Sequence, residues 1–539
     1  MFHQSHILCP GGVKVIPGTR VALFKAAGIV AALSIISKVF GFVRETSLAA
    51  GFGATHATDA YLVGQTIPML LFAAVGGALA TTFIPVFAEV YQKEGREAAY
   101  RMACTVINVN VIVAVAVIAA GELLAGPLTR LVAPGFQGEV FLLTVRLTRY
   151  LFPMILFQGL SGLFTGMLQT GGNFTVPAAV VLLFNAIIIF SIVVLGPIFG
   201  ISAVALGTSA AVVAQSMAQL PALWRLGFRW RLLIDWKDPR LARIGALVVP
   251  VLLGSAAGQL GLLVDRMLAS RLAEGSISAL NYGNKLMALP YGVFGTAIAT
   301  VLYPTLSQLA AVRDTGRFRL ALSEGVRAVN FLLVPMSVGL MVLREPVVRL
   351  AFQRGAFDAA ATEATSFALL FFSMGIVGFS LRDLVARGFY SFQDTATPML
   401  VGVASVALNV ALNLLLVGPL KHGGLALATS AASIFGVVAM LWLLRRRLGH
   451  LGGRAMVGSL WRVLLASGVM ALAVEGARRW AEAAWPGTGV AVQAARLLAE
   501  VGVGALVYGT CALALGVPEM RLLLDFGGRA VRRLAPRAW

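Results

Sequence analysis

Charged side chains are scarce in this sequence. Only 12% of its 539 residues are Asp, Glu, Lys or Arg, whereas 59% are hydrophobic. A soluble chain of this length would divide into several domains with polar surfaces, and soluble domains average about 25% charged residues. A mean hydropathy of +0.87 points the same way. The composition therefore argues against a soluble protein and predicts one that is embedded in a lipid bilayer.

Cysteines and the short motifs of enzymes are also scarce. Cys9, Cys104 and Cys511 form no C-x-x-C or Cys/His spacing, so we expect neither a disulfide framework nor a metal site. No Walker A loop, H-E-x-x-H or G-x-S-x-G motif is present, which argues against an ATP-driven pump and against these enzyme classes. We expect no catalytic residues, no cofactor and no cleaved signal peptide, with Cys9 in an N-terminal tail.

Acidic residues are the rarer of the two charged classes. The chain has 23 Asp and Glu against 43 Lys and Arg, a net charge of +20. In a soluble protein such an excess would suggest nucleic acid, but in a membrane protein it is typical of cytoplasmic loops. We therefore expect no nucleic-acid partner.

Long apolar runs dominate what is present. Runs of about 20 apolar residues indicate membrane spans, and runs this uniform favour helices over barrel strands. About fourteen occur, near residues 22–49, 59–89, 100–125, 141–169, 175–196, 200–224, 241–271, 279–310, 318–343, 361–391, 396–417, 422–444, 457–480 and 489–516.

Basic residues concentrate in alternate connections between these runs. Under the positive-inside rule both termini are then cytoplasmic and the number of spans is even.

The two halves of the chain resemble each other at an offset of about 221 residues, which predicts a duplication of six spans. Equivalent pairs include Thr82–Pro85 with Val301–Pro304, Phe174–Pro177 with Thr395–Pro398, and Thr208–Ala211 with Thr429–Ala432. An even number of spans per copy places the pseudo-two-fold axis along the membrane normal, with a central cavity between parallel bundles. The last two spans lie outside the repeat.

Several ionisable residues fall within the predicted spans, where a charge costs at least about 2.5–3.5 kcal/mol and normally faces a cavity or a partner. The residues chosen as candidates are Lys38, Gly41, Arg44, Glu45, Asp59, Arg266, Asn284 and Lys285. The cations occupy equivalent spans of the two halves, so they are expected to converge on the shared cavity and bind an anion such as pyrophosphate. The structural alternative is that neighbours, such as Arg44 with Glu45 or Arg266 with Asp265, pair to fix helix packing.

Asp235 and Asp238 have the D-x-x-D spacing that could hold a magnesium-bound pyrophosphate. They stand in a basic loop directly before Pro239, where capping of the next helix is the favoured interpretation.

Several segments resemble the MurJ (MviN) family of lipid II flippases, within the superfamily of multidrug and polysaccharide-lipid exporters. They are Ser37–Glu45, Ala57–Tyr61, Phe83–Glu89, Ala133–Phe136, Tyr282–Ser307 and Gly388–Asp394. The resemblance runs from about residue 25 to 516. It implies a monomer in the bacterial cytoplasmic membrane that moves the undecaprenyl-pyrophosphate-linked peptidoglycan precursor outward. Membrane lipids and cell-wall synthesis proteins would be further partners.

The same resemblance implies a cationic cavity between two lobes and a groove for the lipid tail on the last two spans. It assigns pyrophosphate binding to Lys38, Arg44 and Lys285, and a cavity or coupling role to Asp59. The sequence departs from the family pattern where Lys38 and Lys285 replace a frequent Arg, and where Asn284 replaces a frequent Asp. The resulting division is a tail at 1–21, an N-lobe at 22–224, a linker at 225–240, a C-lobe at 241–448, the groove at 449–516 and a tail at 517–539.

Three other functions stay open. A drug/cation antiporter of the same superfamily would need acidic residues in its cavity, and a glycosyl or phosphoryl transferase would need a carboxylate pair or metal site. A scaffold for wall synthesis would tolerate alanine at the cavity cations. A flippase would also need an energy source, for which membrane potential and an ion gradient are the two candidates.

Overall fold

The computed structural model describes residues 17–73, 77–487 and 489–521, and every regular element within them is helical. Cys9 and the basic tail beyond Arg521 lie outside the described residues. The first half contains α1 (Pro17–Phe52), α2 (His56–Phe72), α3 (Ala78–Lys93), α4 (Arg96–Val132), α5 (Gly138–Leu151), α6 (Met154–Thr170), α7 (Thr175–Phe190), α8 (Gly196–Phe199), α9 (Ile201–Met217) and α10 (Leu220–Arg225). The second half contains α11 (Pro239–Ala269), α12 (Ser276–Pro290), α13 (Thr296–Ala311), α14 (Thr315–Val342), α15 (Arg344–Phe352), α16 (Ala359–Ser391), α17 (Ala396–Leu448), α18 (Gly453–Ala484) and α19 (Val490–Ala514). Short π-helical turns join α7 to α8 and α12 to α13.

The predicted all-α membrane architecture is confirmed. Ten helical segments of the described chain are long and apolar enough to cross a bilayer, and one of them, α17, holds two of the predicted spans within its 53 residues. Lys421 interrupts α17 with a positive φ of 50°, two residues after Pro419 and between those two spans. The predicted fourth span is likewise divided, because α5 ends at Leu151 and α6 begins after Pro153. The number fourteen stays a prediction.

The chain forms two compact units. The first contains the residues up to Ser47, Leu71–Glu122 and Tyr150–Val251, and the second contains Leu48–Leu70, Leu123–Arg149 and the chain from Leu252 onward. These units are not contiguous in sequence. The two six-span lobes, the linker and the groove therefore stay a prediction from the sequence.

The first unit is held together by an aromatic cluster and by small residues. Phe83 and Phe87 stack with their ring centroids 5.1 Å apart, and Tyr100 meets Phe228 edge to face at 5.5 Å. On α6, a Cβ at Gly162 would lie 2.8 Å from the Cβ of Ala80 on α3. The two backbones can approach this closely because glycine lacks a side chain, as is common between membrane helices.

In the second unit, α18 packs on α14 and on α19. The Tyr508 hydroxyl on α19 donates to the carbonyl of Phe331 on α14 at 2.7 Å. After α19, the carboxylate of Glu519 pairs with Arg327 at 3.3 Å and accepts from Ser459 at 3.2 Å. The helices of the last two predicted spans are thus fixed to α14 by polar bonds as well as by apolar packing.

One hydrogen bond occurs once in each unit and supports the duplication. The Ser209 hydroxyl donates to the Tyr150 carbonyl at 2.6 Å, and the Ser430 hydroxyl donates to the Phe371 carbonyl at 2.7 Å. Both residues of the second bond lie 221 positions after those of the first, the offset found in the sequence.

The contact between α3 and α6 predicts a steric effect at Gly162. Gly162→Val should lower stability by about 1–3 kcal/mol, because the added atoms collide with the Ala80 methyl group, which cannot rotate away. Gly245→Val is the matched control, since Gly245 is also helical and a Cβ there meets nothing within 4 Å. Thermal unfolding in detergent compares the two variants, and equal midpoints would contradict the close contact.

Candidate functional site

Arg44 lies on α1 in the first unit and is held by two polar partners. Its Nη2 contacts Glu45 Oε1 at 2.7 Å, and its Nη1 donates to Asn185 Oδ1 at 3.2 Å. The guanidinium also lies over the Phe184 ring, 5.7 Å from the centroid. Glu45 is only 7% exposed, so the pair is largely shielded from water. The pairing of Arg44 with Glu45 that the structural alternative predicted is therefore present.

Asn185 fixes the orientation of this cation and was missed in the sequence. It lies on α7, where its Nδ2 donates to the Val181 carbonyl at 3.0 Å and leaves Oδ1 to accept from Arg44. A Cβ at Gly41 would lie 4.0 Å from the same Oδ1. The only signal for Asn185 in the sequence is one amide within an otherwise apolar run. A guanidinium has five N–H donors, so Arg44 can take an additional anionic partner besides Glu45 and Asn185.

The other candidates of α1 lie on the same helix, within two turns of Arg44. Lys38 is exposed and lies six residues before Arg44. Glu45 forms the ion pair with Arg44, and Gly41 lies beside the Asn185 amide oxygen that Arg44 contacts. The structure thus brings together Gly41, Arg44 and Glu45 with Asn185.

Asp59 occupies a different setting, in the second unit. Its carboxylate accepts hydrogen bonds from the backbone N–H of Gly275 and of Ser278, both at 2.8 Å, and from the Ser278 hydroxyl. These donors lie at the start of α12, where the helix dipole and the unpaired N–H groups favour an anion. Asp59 is only 3% exposed. Through these hydrogen bonds its carboxylate caps the start of α12.

Glycines bring the backbone around Asp59 into close contact with the second half of the chain. A Cβ at Gly275 would lie 2.3 Å from the Ala54 carbonyl oxygen, and one at Gly355 would lie 2.3 Å from that of Ala50. Both glycines have positive φ, and the Ala356 N–H donates to the Ala50 carbonyl at 2.8 Å. The segment from Ala50 to Asp59 is thus fastened, within the second unit, to the segments that precede α12 and α16.

Arg266 and its neighbours form a second polar cluster in this unit. Arg266 interacts electrostatically with both Asp59 and Asp265, but its buried Nε has no hydrogen-bond partner among the residues that the structure describes. Asp265 accepts from Asn413 at 2.6 Å, and Asn413 also donates to Asn409 at 3.1 Å. The sequence interpretation missed both asparagines, which lie four residues apart on one face of α17.

Lys285 and Asn284 lie on α12, the helix that Asp59 caps. Asn284 is exposed and Lys285 is half-buried. The preceding turn is anchored by Tyr282, which is fully buried and packs against Phe352 with ring centroids 4.9 Å apart. The structure therefore places Asp59, Arg266, Asn284 and Lys285 in one unit. Their convergence with Lys38 and Arg44 on a shared cavity stays a prediction.

Two polar motifs have structural roles. The Asp238 carboxylate accepts from the Arg240 N–H at 2.9 Å at the start of α11, and Asp235 accepts from the Lys237 N–H at 3.0 Å. Asp238 therefore caps a helix, as the sequence favoured. Asp383 pairs with Arg387 at 3.2 Å, four residues on, because residues at this spacing share a helix face.

Comparison with known proteins adds independent information. A family model described as "Lipid II flippase MurJ" matches residues 48–499. A "Probable lipid II flippase MurJ" of Vibrio cholerae is 33% identical over 518 residues, covering 92% of this chain and 96% of that protein. A "Lipid II flippase MurJ" of Burkholderia cenocepacia is 30% identical over 434 residues, covering 79% and 84% of the two chains.

Two solved structures share the fold. One, described as "Lipid II flippase MurJ, inward closed conformation", superposes with a TM-score of 0.76 at 22% identity and covers 92% of this chain and 99% of its own. The other is an inward-facing multidrug resistance transporter of the MATE family, with a TM-score of 0.66 at 14% identity, covering 79% and 99%. At these identities the likeness concerns the fold alone.

The cap on α12 predicts a local effect of Asp59→Ala. Without the carboxylate, the N–H groups of Gly275 and Ser278 lose bonds to a charged acceptor, so their hydrogen exchange should accelerate about ten- to hundred-fold. Exchange followed by mass spectrometry of peptides across the start of α12 measures this.

Asp358→Ala is the matched control, because Asp358 caps α16 through the Ala361 N–H at 2.8 Å. It should accelerate exchange at the start of α16 and leave α12 unchanged. Unaltered exchange at Gly275 and Ser278 in Asp59→Ala would show that the carboxylate does not hold this helix end.

Proposed function

Since the chain belongs to the lipid II flippase MurJ family, we propose that it moves the undecaprenyl-pyrophosphate-linked peptidoglycan precursor from the inner to the outer leaflet of the bacterial cytoplasmic membrane. The observation that carries this proposal is the family match over residues 48–499. Arg44, with its partners Glu45 and Asn185, supports the proposal, because it places a cation that can bind a pyrophosphate within a predicted membrane span. The protein then acts as a transporter that makes and breaks no covalent bond.

Arg44 is the centre of the proposed pyrophosphate site. A guanidinium binds phosphate oxygens through two parallel N–H bonds, and such charge-assisted bonds are stronger than neutral ones. Arg44 is already oriented by Glu45 and Asn185, so its side chain loses little freedom when the substrate binds. Lys38 and Lys285 add positive charge without the fork geometry. Because a bound diphosphate would compete with Glu45 for the guanidinium, substrate binding would weaken the Arg44–Glu45 ion pair.

Asp59 and the glycine contacts around it form the proposed closure. The bonds from Asp59 to the start of α12 and the backbone bond from Ala356 to Ala50 join distant parts of the sequence within the second unit. Under the positive-inside orientation these segments lie on the outer side of the membrane. Opening of the site toward the outer leaflet would then require these bonds to break, and the energy for that must come from tighter substrate binding in one state or from a coupled gradient.

The lipid tail is proposed to lie along α18 and α19. These helices fall outside the internal repeat and expose apolar side chains such as Trp461, Leu472, Leu498 and Leu506. A polyprenyl chain can remain in this apolar setting while the sugar-peptide head moves through a wet path. Both termini are proposed to be cytoplasmic, the protein to be a monomer without a cofactor, and wall-synthesis proteins to receive the product.

A drug/cation antiporter is the second candidate, and the fold shared with a MATE transporter favours it. A cation carrier needs carboxylates that are available to its substrate. In the described residues of this chain, Glu45 is engaged by Arg44 and Asp59 by the start of α12. The charges therefore favour an anionic substrate.

Arg44→Ala should lower the rate at which the precursor appears in the outer leaflet by about ten- to hundred-fold, the loss expected for one charge-assisted contact. The rate is measured in cells depleted of their own flippase and complemented with the variant. Arg44→Lys should fall between Arg44→Ala and the unmodified protein, because it keeps the charge and loses the fork. Arg243→Ala is the control, since Arg243 is a surface residue that pairs with Glu89.

A purely structural role for Arg44 is distinguished by the double variant Arg44→Ala with Glu45→Ala. Arg44→Ala alone leaves the Glu45 carboxylate buried without its cation, which should lower protein abundance. The double variant leaves no unpaired buried charge, so protein abundance should return to that of the unmodified protein while transport stays low. If transport also recovers, Arg44 only balances Glu45 and does not bind substrate.

Membrane potential is proposed as the energy source, because the diphosphate carries negative charge and an inside-negative potential drives an anion outward. The driving force is about 2.3 kcal/mol per charge per 100 mV. In proteoliposomes, a potassium diffusion potential that is negative inside should raise the fraction of precursor in the outer leaflet, and reversal of the potential should lower it. Transport that responds only to an ion gradient at zero potential would contradict this proposal.

A further inference from the structure

The connection between α10 and α11 is an ordered, non-helical segment that lies along α4. The Asn108 side chain, which is buried, donates to the carbonyls of Arg231 at 3.0 Å and Leu233 at 2.9 Å. The Trp230 indole N–H donates to Asn108 Oδ1 at 3.0 Å, and the Tyr100 hydroxyl donates to the Leu226 carbonyl at 2.9 Å. The buried Asn108 amide therefore fixes the backbone of this connection at two points, and the Tyr100 hydroxyl fixes it at a third.

The fixed backbone presents large apolar side chains outward. Trp230 is 57% exposed, Leu232 80% and Trp236 68%, and Trp224 at the end of α10 is also exposed. Three of the eight tryptophans in the chain thus fall within residues 224–236. Exposure of such rings to water is unfavourable, whereas tryptophan is enriched where a membrane protein meets the headgroup region. The segment is therefore suited to the membrane interface.

Cations alternate with these apolar side chains. Arg225, Arg229, Arg231 and Lys237 are exposed, and none forms an ion pair with an acidic side chain in the part of the chain that the structure describes. The nearby cations outside the segment differ, because Arg240 pairs with Glu94 at 3.0 Å and Arg243 pairs with Glu89 at 2.8 Å. Glu94 and Glu89 thus neutralise cations of α11. Within the segment, four cations face the single carboxylate of Asp235, so the segment keeps a net positive charge.

We propose that residues 224–237, the interfacial segment, bind the headgroups of anionic phospholipids such as phosphatidylglycerol. The tryptophans and Leu232 enter the headgroup region, and the arginines contact lipid phosphates with bidentate geometry. Each cation near an anionic surface adds about a fivefold factor, so the combined preference for anionic over zwitterionic lipid is about hundred-fold for three arginines. Because Asn108 holds the backbone, little ordering is required on binding.

The test uses the full chain in nanodiscs of phosphatidylcholine with a minor fraction of brominated lipid, which quenches nearby tryptophan. Five tryptophans outside the segment are replaced by phenylalanine, at Trp442, Trp461, Trp480, Trp485 and Trp539. Brominated phosphatidylglycerol should quench the remaining three far more strongly than brominated phosphatidylcholine at equal mole fraction. Arg225→Gln, Arg229→Gln and Arg231→Gln together should abolish most of this difference.

The matched control removes the same charge from another connection. The substitutions are Arg313→Gln, between α13 and α14, and Arg317→Gln and Arg319→Gln, at the start of α14. No tryptophan lies nearby in the sequence, so these substitutions should leave the quenching difference intact. Raising salt from 0.1 M to 1 M shortens the screening length from about 10 Å to about 3 Å and should weaken the difference without any substitution. Equal quenching by the two lipids in the unsubstituted segment would overturn the proposal, because the cations would then face water or a protein partner.

Discussion

A polar group inside the hydrocarbon layer finds no water to bond with, and this constraint accounts for most of what the structure shows. Backbone N–H and C=O groups can satisfy each other within one segment only as a helix, which explains why every regular element of the described chain is helical. Serine side chains follow the same rule, since Ser209 and Ser430 donate to backbone carbonyls of neighbouring helices. Polar side chains therefore connect helices in this protein.

The same constraint shapes the charged residues. Arg44 combines a carboxylate and an amide oxygen as partners, and Asp59 combines three donors at the start of a helix. The proposed mechanism requires each of these groups to exchange its present partners for others. A diphosphate can compete with Glu45 for the guanidinium, and separation of α12 from Asp59 leaves a carboxylate and a helix terminus that each need a new partner. In the proposed mechanism, this shared requirement is what would link binding to conformational change.

Glycine gives the second unit its close backbone contacts. Gly275 and Gly355 combine positive φ with carbonyl oxygens at distances that a Cβ would not allow. Such backbone contacts are compact, so the proposed closure would not require a large hydrophobic surface to be separated. This is the kind of contact expected where a transporter must alternate between states.

Local patterns along the chain were sufficient for the fold class, the apolar spans and the candidate charges. Hydrophobic length and composition are local properties, so they identify a membrane helix without knowledge of the tertiary structure. Charged residues such as Arg44 and Asp59 stand out within such apolar runs. The 221-residue offset of the repeat was visible for the same reason, and it recurs in the paired bonds of Ser209 and Ser430.

The partners of those charges were not visible in this way. Asn185 lies 141 residues from Arg44, and Ser278 lies 219 residues from Asp59, so no local pattern connects them. Asn108 orders a distant connection through bonds to main-chain carbonyls, and carbonyls carry no sequence signature. Which charge meets which partner depends on how helices pack in three dimensions, and that packing reflects contacts summed over the whole chain.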